Sequence, residues 1–79
     1  MDPTAAILDL LSRRAPGATI CPSEAARLVA PGDWRPLMPE VRAAGAALAR
    51  EGRIAVTQGG WAVDPSEAAG PIRYRAMPR

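Results

Sequence analysis

Residues 19–63 read TICPSEAARLVAPGDWRPLMPEVRAAGAALAREGRIAVTQGGWAV. A helical run ends at Pro31-Gly32, a second helical run extends to Arg50, and two short β-prone runs flank Gly59-Gly60. The order helix, turn, helix, hairpin is typical of a winged helix-turn-helix domain. We therefore predict an α+β fold of this type, with three helices and a small antiparallel sheet built around the wing hairpin. Because this fold serves both nucleic-acid binding and protein docking, it leaves the function open.

The length and composition limit what else the chain can contain. Its 79 residues have room for one domain, residues 1–79, with a core of modest stability. The single cysteine and the absence of histidine exclude an internal disulfide and a four-ligand zinc site made by this chain alone. The sequence also shows neither a long apolar run nor a secretory signal. We expect a cytoplasmic, bacterial-type protein with no membrane partner, no metal and no cofactor.

The charge is unevenly distributed along the chain. All ten basic residues are arginine, and lysine, phenylalanine and asparagine are absent, which indicates a GC-rich genome and makes the choice of arginine weak evidence for function. Residues 1–33 hold three arginines and four acidic residues, whereas residues 34–79 hold seven arginines and four acidic residues. The basic excess therefore lies in the second half.

The first two helices have clear start signals. Asp2 can cap the first helix with Pro3 at its first position, and Pro16-Gly17 ends it. Cys21 occupies the cap position of the second helix, with Glu24 placed as in a capping box. The apolar spacing predicts buried faces formed by Ala6, Ile7, Leu10 and Leu11 in the first helix, and by Ala25, Leu28 and Val29 in the second.

The third helix carries the arginines of interest. Pro36 and Pro39 both follow Asp33 closely, so we expect the helix proper to begin near Pro39. The inward stripe is predicted to be Leu37, Val41, Ala44 and Leu48. Placed on a helical wheel, the opposite stripe consists of Arg35, Pro39, Arg42, Ala46 and Arg50.

The Gly59-Gly60 pair predicts a tight hairpin with Gln58 opposite Trp61 and Val56 opposite Val63. This register predicts an inward set of Ile54, Val56, Trp61 and Val63, and an outward set of Arg53, Ala55, Thr57 and Ala62. After Val63, Asp64-Pro65-Ser66-Glu67 can form one helical turn. A final strand follows, in which Ile72, Tyr74 and Ala76 alternate with Arg73 and Arg75; the pattern does not identify its partner.

Several strings of the sequence are jointly distinctive: CPSEAAR at 21–27, WRPLMPEVR at 34–42, GRI at 52–54, TQGG at 57–60 and GPIR at 70–73. Together they resemble a small bacterial family known as a domain of unknown function. The resemblance covers nearly the whole chain. It implies a compact winged-helix-like domain, and it implies no activity, cofactor or catalytic residue.

The leading functional hypothesis is a nucleic-acid-binding or transcription-associated module that contacts double-stranded DNA. Its predicted nucleic-acid-binding residues are Arg35, Arg42, Arg50 and Arg53, which would contact bases and phosphates from the third helix and the foot of the wing. The competing interpretation is a solvated charged face, since the net charge is only +2. The alternative function is a protein-docking module that uses the Trp34 region, the face of the third helix or the Arg73 and Arg75 strand.

The remaining conspicuous residues have structural interpretations beside the functional ones. The hairpin register places Trp61 inward as core cover rather than as a base-stacking residue, and Trp34 is expected to anchor helices two and three. Cys21 is expected to be a small cap residue rather than a reactive thiol. Arg73 and Arg75 either bind an acidic partner or phosphates, or keep an edge strand soluble, and we favour the solubility role. No catalytic constellation is visible, so we expect a non-enzyme that is a monomer or a weak homodimer.

Overall fold

The computed structural model describes residues 1–77. Within this range the chain forms three α-helices, one 3-10 turn and a four-stranded antiparallel sheet with the order β1-β4-β2-β3. This α+β arrangement is compatible with the predicted winged helix fold. The elements in chain order are α1 (Pro3–Arg13), β1 (Thr19–Ile20), α2 (Pro22–Val29), the 3-10 turn (Arg35–Leu37), α3 (Met38–Arg50), β2 (Ile54–Gln58), β3 (Trp61–Ala62) and β4 (Arg73–Ala76).

The helix starts are formed by the predicted capping residues. The Asp2 carboxylate accepts a hydrogen bond from the Ala5 N–H (2.8 Å), which satisfies one of the free donors at the start of α1. At α2 the Cys21 N–H donates to the Glu24 carboxylate (2.8 Å), and the Cys21 sulfur lies 2.9 Å from the Ser23 hydroxyl oxygen. Since a cap needs only a short polar side chain, these contacts place Cys21 in a structural position.

The start of α3 is shaped by its prolines. Pro36 lies in the 3-10 turn, and α3 begins at Met38 with Pro39 in its first turn. Proline is tolerated there because the first turn of a helix has no carbonyl partner for its N–H groups. The predicted start near Pro39 is confirmed.

The last strand lies inside the sheet. β4 pairs with β1 through Ile20 opposite Tyr74, and with β2 through Val56 opposite Tyr74. The prediction that Arg73 and Arg75 protect an edge strand is therefore wrong, because β1 and β3 form the two edges. Tyr74 is completely buried on this interior strand.

The hairpin has the predicted register, but two of its side chains differ from prediction. Gln58 pairs with Trp61, and the Val63 N–H donates to the Val56 carbonyl (2.9 Å). Trp61, predicted inward, is 79% exposed, because it lies on a two-residue edge strand at the hairpin tip. Thr57, predicted outward, is only 5% exposed, because Ala62 and Arg73 flank it on the two neighbouring strands.

The core lies between the three helices and one face of the sheet. The predicted inward residues of α1, the pair Ile54 and Val56, and Ala25 are all buried, whereas Leu28 and Val29 are half-buried at the core's margin. α3 approaches β4 closely at one point, where Gly45 faces the ring of Tyr74. A Cβ atom added to Gly45 would clash with the Tyr74 ring at Cζ and Oη and would lie 2.7 Å from Cε1.

This contact sets the rotation of α3. Its buried residues are Val41, Gly45 and Leu48, while Leu37 and Ala44, predicted to be inward, are half-buried. At about 100° per residue, the buried set is centred roughly 40° around the helix from the predicted stripe. The exposed positions of α3 are consequently Pro39, Glu40, Ala43 and Arg50.

We expect Gly45→Ala to destabilise the protein, although alanine is the better helix former by about 1 kcal/mol. The new methyl group would press on a fixed aromatic ring, and overpacking of this kind costs about 1–3 kcal/mol. Urea unfolding followed by circular dichroism measures the effect. Ala43→Gly, on the exposed side of the same helix, is the matched control and should cost about 0.5–1 kcal/mol through propensity alone. A Gly45→Ala variant more stable than the wild type would contradict the proposed packing.

Candidate nucleic-acid interface

The four predicted contact arginines occupy different environments. Arg35, Arg50 and Arg53 are exposed, whereas Arg42 is half-buried. The Arg42 guanidinium donates a hydrogen bond to the Gly70 carbonyl (3.1 Å). The ion pairs found among residues 1–77 join Arg13 to Asp9 (2.6 Å) and Arg14 to Glu24 (3.4 Å), so they involve none of the four.

Arg42 contributes to the attachment of the loop that precedes β4. Beside it, the Gln58 amide donates to the carbonyls of Ala69 (2.6 Å) and Pro71 (3.1 Å). These bonds join α3 and the hairpin to residues 69–71, which lead the chain into the centre of the sheet. The half-buried position of Arg42 is therefore explained by its bond to this loop.

Arg42 also lies near the buried phenol of Tyr74. Burial raises the pKa of Tyr74 to about 12, and the positive charge of Arg42 opposes part of this rise. Within the described part of the chain, the Tyr74 hydroxyl has no hydrogen-bond partner. The phenol is therefore held neutral by packing rather than by a specific polar contact.

The exposed face of α3 consists mostly of small residues. Pro39 and Ala43 are exposed and Ala46 and Ala47 are half-buried, so Glu40 is the only charged side chain between the two ends of this face. Arg35 precedes one end of α3, while Arg50 and Arg53 lie at the other, about 20 Å away along the helix axis. The result is a helical surface of small residues with one acidic side chain, Glu40, bounded at each end by arginines; it is not a continuous arginine stripe.

Two arginines, Arg27 and Arg35, lie against the ring of Trp34. The indole is half-buried and packs against the core, as expected for an anchor between the helices. The guanidinium carbons of Arg27 and Arg35 lie 4.6 Å and 4.7 Å from the centroid of its ring. Sequence reasoning missed Arg27, because the intervening turn separates it from Trp34 by seven positions.

The outer face of the sheet carries Arg73 and Arg75. Arg73 donates to the Thr19 hydroxyl (2.7 Å) and to the Thr19 carbonyl (3.3 Å), which ties β4 to β1. Because core residues such as Tyr74 and Val56 occupy the opposite face, this surface is turned away from α3. Arg73 and Arg75 are thus separate from the α3 arginines.

The family comparison covers almost the whole chain. The profile described as "Protein of unknown function (DUF3253)" matches residues 2–77. The chain belongs to this DUF3253 family. No curated protein matched the chain.

Residues 1–77 bring together no group of three or more histidine, cysteine, aspartate or glutamate side chains suited to a metal ion. Over the same range, no helix has both the length and the apolar character that a membrane crossing requires.

Trp61 and Trp34 should respond differently to truncation. We expect Trp61→Ala to unfold within about 0.5 kcal/mol of the wild type, because the side chain is almost entirely in solvent. Trp34→Ala should lose more than about 1 kcal/mol, because it removes an anchor packed on the core. Urea titrations of both variants provide the comparison. Equal losses would mean that the hairpin tip is folded onto the body of the domain.

Tyr74 should make the folded protein less stable at alkaline pH. The pKa of Tyr74 in the folded protein is about 12, above the ordinary value of 10.0. The contribution of Tyr74 to the free energy of unfolding is therefore fully present below pH 10 and declines as the pH rises towards 12. The unfolded phenol loses its proton over that interval while the folded phenol keeps it. Absorbance of the phenolate reports the titration, because this is the chain's only tyrosine. Lysine, the other side chain that ordinarily titrates in this interval, is absent. Tyr74→Phe is the control and should lack this part of the alkaline destabilisation; the same pH dependence in both proteins would contradict the assignment.

Proposed function

We propose that this domain binds duplex nucleic acid through the exposed face of α3 and the arginines at its two ends. The observation that carries the proposal is the pairing of a small-residue surface with exposed arginines that have no carboxylate partner within the described residues. Arg35 contacts the backbone from one end, and Arg50 and Arg53 contact it from the other. Arg42 stays in the predicted contact set as a flanking residue.

The dimensions of duplex DNA suit this arrangement. The major groove is about 12 Å wide and admits one α-helix. Small side chains such as Ala43 and Ala46 allow the helix to approach the base edges, and alanine makes apolar contacts with thymine methyl groups. Arginines beyond both ends of the helix then reach the phosphates that border the groove.

The composition of the surface argues for modest, sequence-tolerant binding. Pro39 lacks an N–H and Ala43 has no polar side-chain atom, so the early part of α3 offers little hydrogen bonding to bases. A net charge of +2 also limits non-specific attraction. We propose a bacterial, cytoplasmic accessory protein, monomeric or weakly dimeric, that binds DNA mainly through phosphates and acts as a binding module, not an enzyme.

A protein-docking function is the second candidate, and the exposure of Trp61 favours it. A tryptophan at the tip of a hairpin is a common anchor residue in protein interfaces. Beside the hairpin, a cleft of about 520 Å³ is bordered by Arg50, Val63 and Asp64. Docking of this kind depends largely on apolar contact, so it should respond little to salt.

The deciding experiment is a titration with random-sequence duplex DNA at several salt concentrations. With about four phosphate contacts, the logarithm of the binding constant should fall against the logarithm of salt concentration with a slope near −3.6. Arg50→Ala combined with Arg53→Ala should reduce the size of that slope by about 1.8, since two contacts are lost.

Arg73→Ala combined with Arg75→Ala is the charge-matched control, because these arginines lie on the opposite face of the sheet. It should leave the slope near the wild-type value. A larger change of the salt slope in the control pair would indicate that the interface lies on the outer face of the sheet. Absence of DNA binding by the wild type would refute the proposal and favour docking through Trp61.

A further inference from the structure

We propose that Arg27, Trp34 and Arg35 form a clamp for one backbone phosphate of duplex DNA, at the end of α3 where the helix begins. This inference rests on the proposed DNA-binding function and extends it, because Arg27 and Trp34 lie outside the predicted contact set. The clamp consists of two guanidinium groups held against one indole ring.

The indole holds the two arginines in place. Trp34 is partly buried against the core, so its ring is fixed by packing. Arg27 comes from the last turn of α2 and Arg35 opens the 3-10 turn, so two separate elements converge on the ring. Each guanidinium carbon lies within 5 Å of the centroid, which is inside the range of a cation–π interaction and keeps the two carbons less than 10 Å apart.

The electrostatics favour an anionic ligand. A guanidinium whose flat side rests on a ring still has N–H donors along its edges, and both arginines are exposed. The ion pairs found in residues 1–77 are located at Arg13 and Arg14, so no carboxylate neutralises Arg27 or Arg35 within that range. Two like charges held at one ring repel each other, and an anion placed between their donor edges relieves the repulsion.

The chemistry of arginine matches the backbone phosphates of duplex DNA. A planar fork of N–H donors matches two oxygens of one phosphate, and arginines held in advance lose less side-chain freedom on binding. The clamp lies just before the start of α3, and Arg50 lies at its end. A duplex that binds along the exposed face of α3 would therefore lie close to both the clamp and Arg50.

Asp33 limits what the clamp can bind alone. This exposed carboxylate precedes Trp34 and lines the small pocket beside it, together with Gly32 and Arg35. Counting it, the local charge is +1, so a free phosphate ion gains little at a solvent-screened surface. A duplex gains more because the same molecule also reaches Arg50 and Arg53. We therefore assign the clamp to the backbone of a polymer, not to inorganic phosphate.

The test begins with the affinity and salt dependence of duplex binding in matched variants. Arg27→Ala and Arg35→Ala should each weaken binding several-fold, and the two changes combined should reduce the size of the salt slope by about 0.9, because the two arginines share one phosphate contact. Arg75→Ala removes the same charge on the outer face of the sheet, without breaking the bonds of Arg73 to Thr19, and should leave the slope unchanged. Wild-type binding that weakens with Arg50→Ala plus Arg53→Ala but not with Arg27→Ala would refute the clamp alone. No binding by the wild type would refute the proposed function itself.

Two further variants test whether the ring positions the arginines. Arg27→Lys keeps the charge but loses the planar fork, so it should retain the slope while binding several-fold more weakly. Trp34→Leu also keeps both charges and should behave in the same way, with folding checked by circular dichroism. Wild-type affinity in a folded Trp34→Leu protein would show that the indole has no positioning role.

A direct readout comes from the fluorescence of Trp34 in a Trp61→Phe background, where it is the only tryptophan. Duplex DNA should alter its emission and protect it from acrylamide quenching, and Arg27→Ala should diminish both effects. Inorganic phosphate is the second probe and should leave the emission unchanged. An equal response to inorganic phosphate would overturn the assignment to a polymer backbone in favour of a small-anion site.

Discussion

The contact between Gly45 and Tyr74 controls the geometry of this domain. Because glycine has no side chain, α3 lies directly on the tyrosine ring at the centre of the sheet, and the ring is fully buried. That approach fixes the rotation of α3 about its axis. It moves Arg42 to a half-buried flank and leaves Pro39, Ala43 and Arg50 on the outside. The exposed surface of α3 is thus a consequence of one packing contact in the core.

The same constraint divides the arginines by role. Arg42 and Arg73 each bond to backbone carbonyls of distant segments, at Gly70 and Thr19, and so help to place β4 between its neighbours. Arg50 and Arg53 are exposed at the end of α3, and Arg35 is exposed at its beginning. A low net charge is compatible with a local binding surface when the cationic side chains that lack structural bonds are concentrated around one helix.

The two tryptophans illustrate how position in the fold changes the use of one residue type. Trp34 lies where α2 and the 3-10 turn converge, and there it packs on the core and holds two guanidinium groups. Trp61 lies on a short edge strand at a hairpin tip, with a strand on one side only. Alternation along a strand predicts which face a side chain occupies, but burial also needs another layer or strand beside it.

The sequence by itself determined the local structure: the cap at Asp2, the start of α3 near Pro39 and the register around Gly59-Gly60 depend on residues within a few positions of one another. It also identified α1's buried stripe. Only the tertiary structure decided that β4 enters the middle of the sheet, that Gly45 faces Tyr74, and that Arg27 meets Arg35 at Trp34. The first two features join segments far apart in the chain, and the third joins two elements across a turn. The geometry of all three follows from packing that no local pattern of side chains encodes.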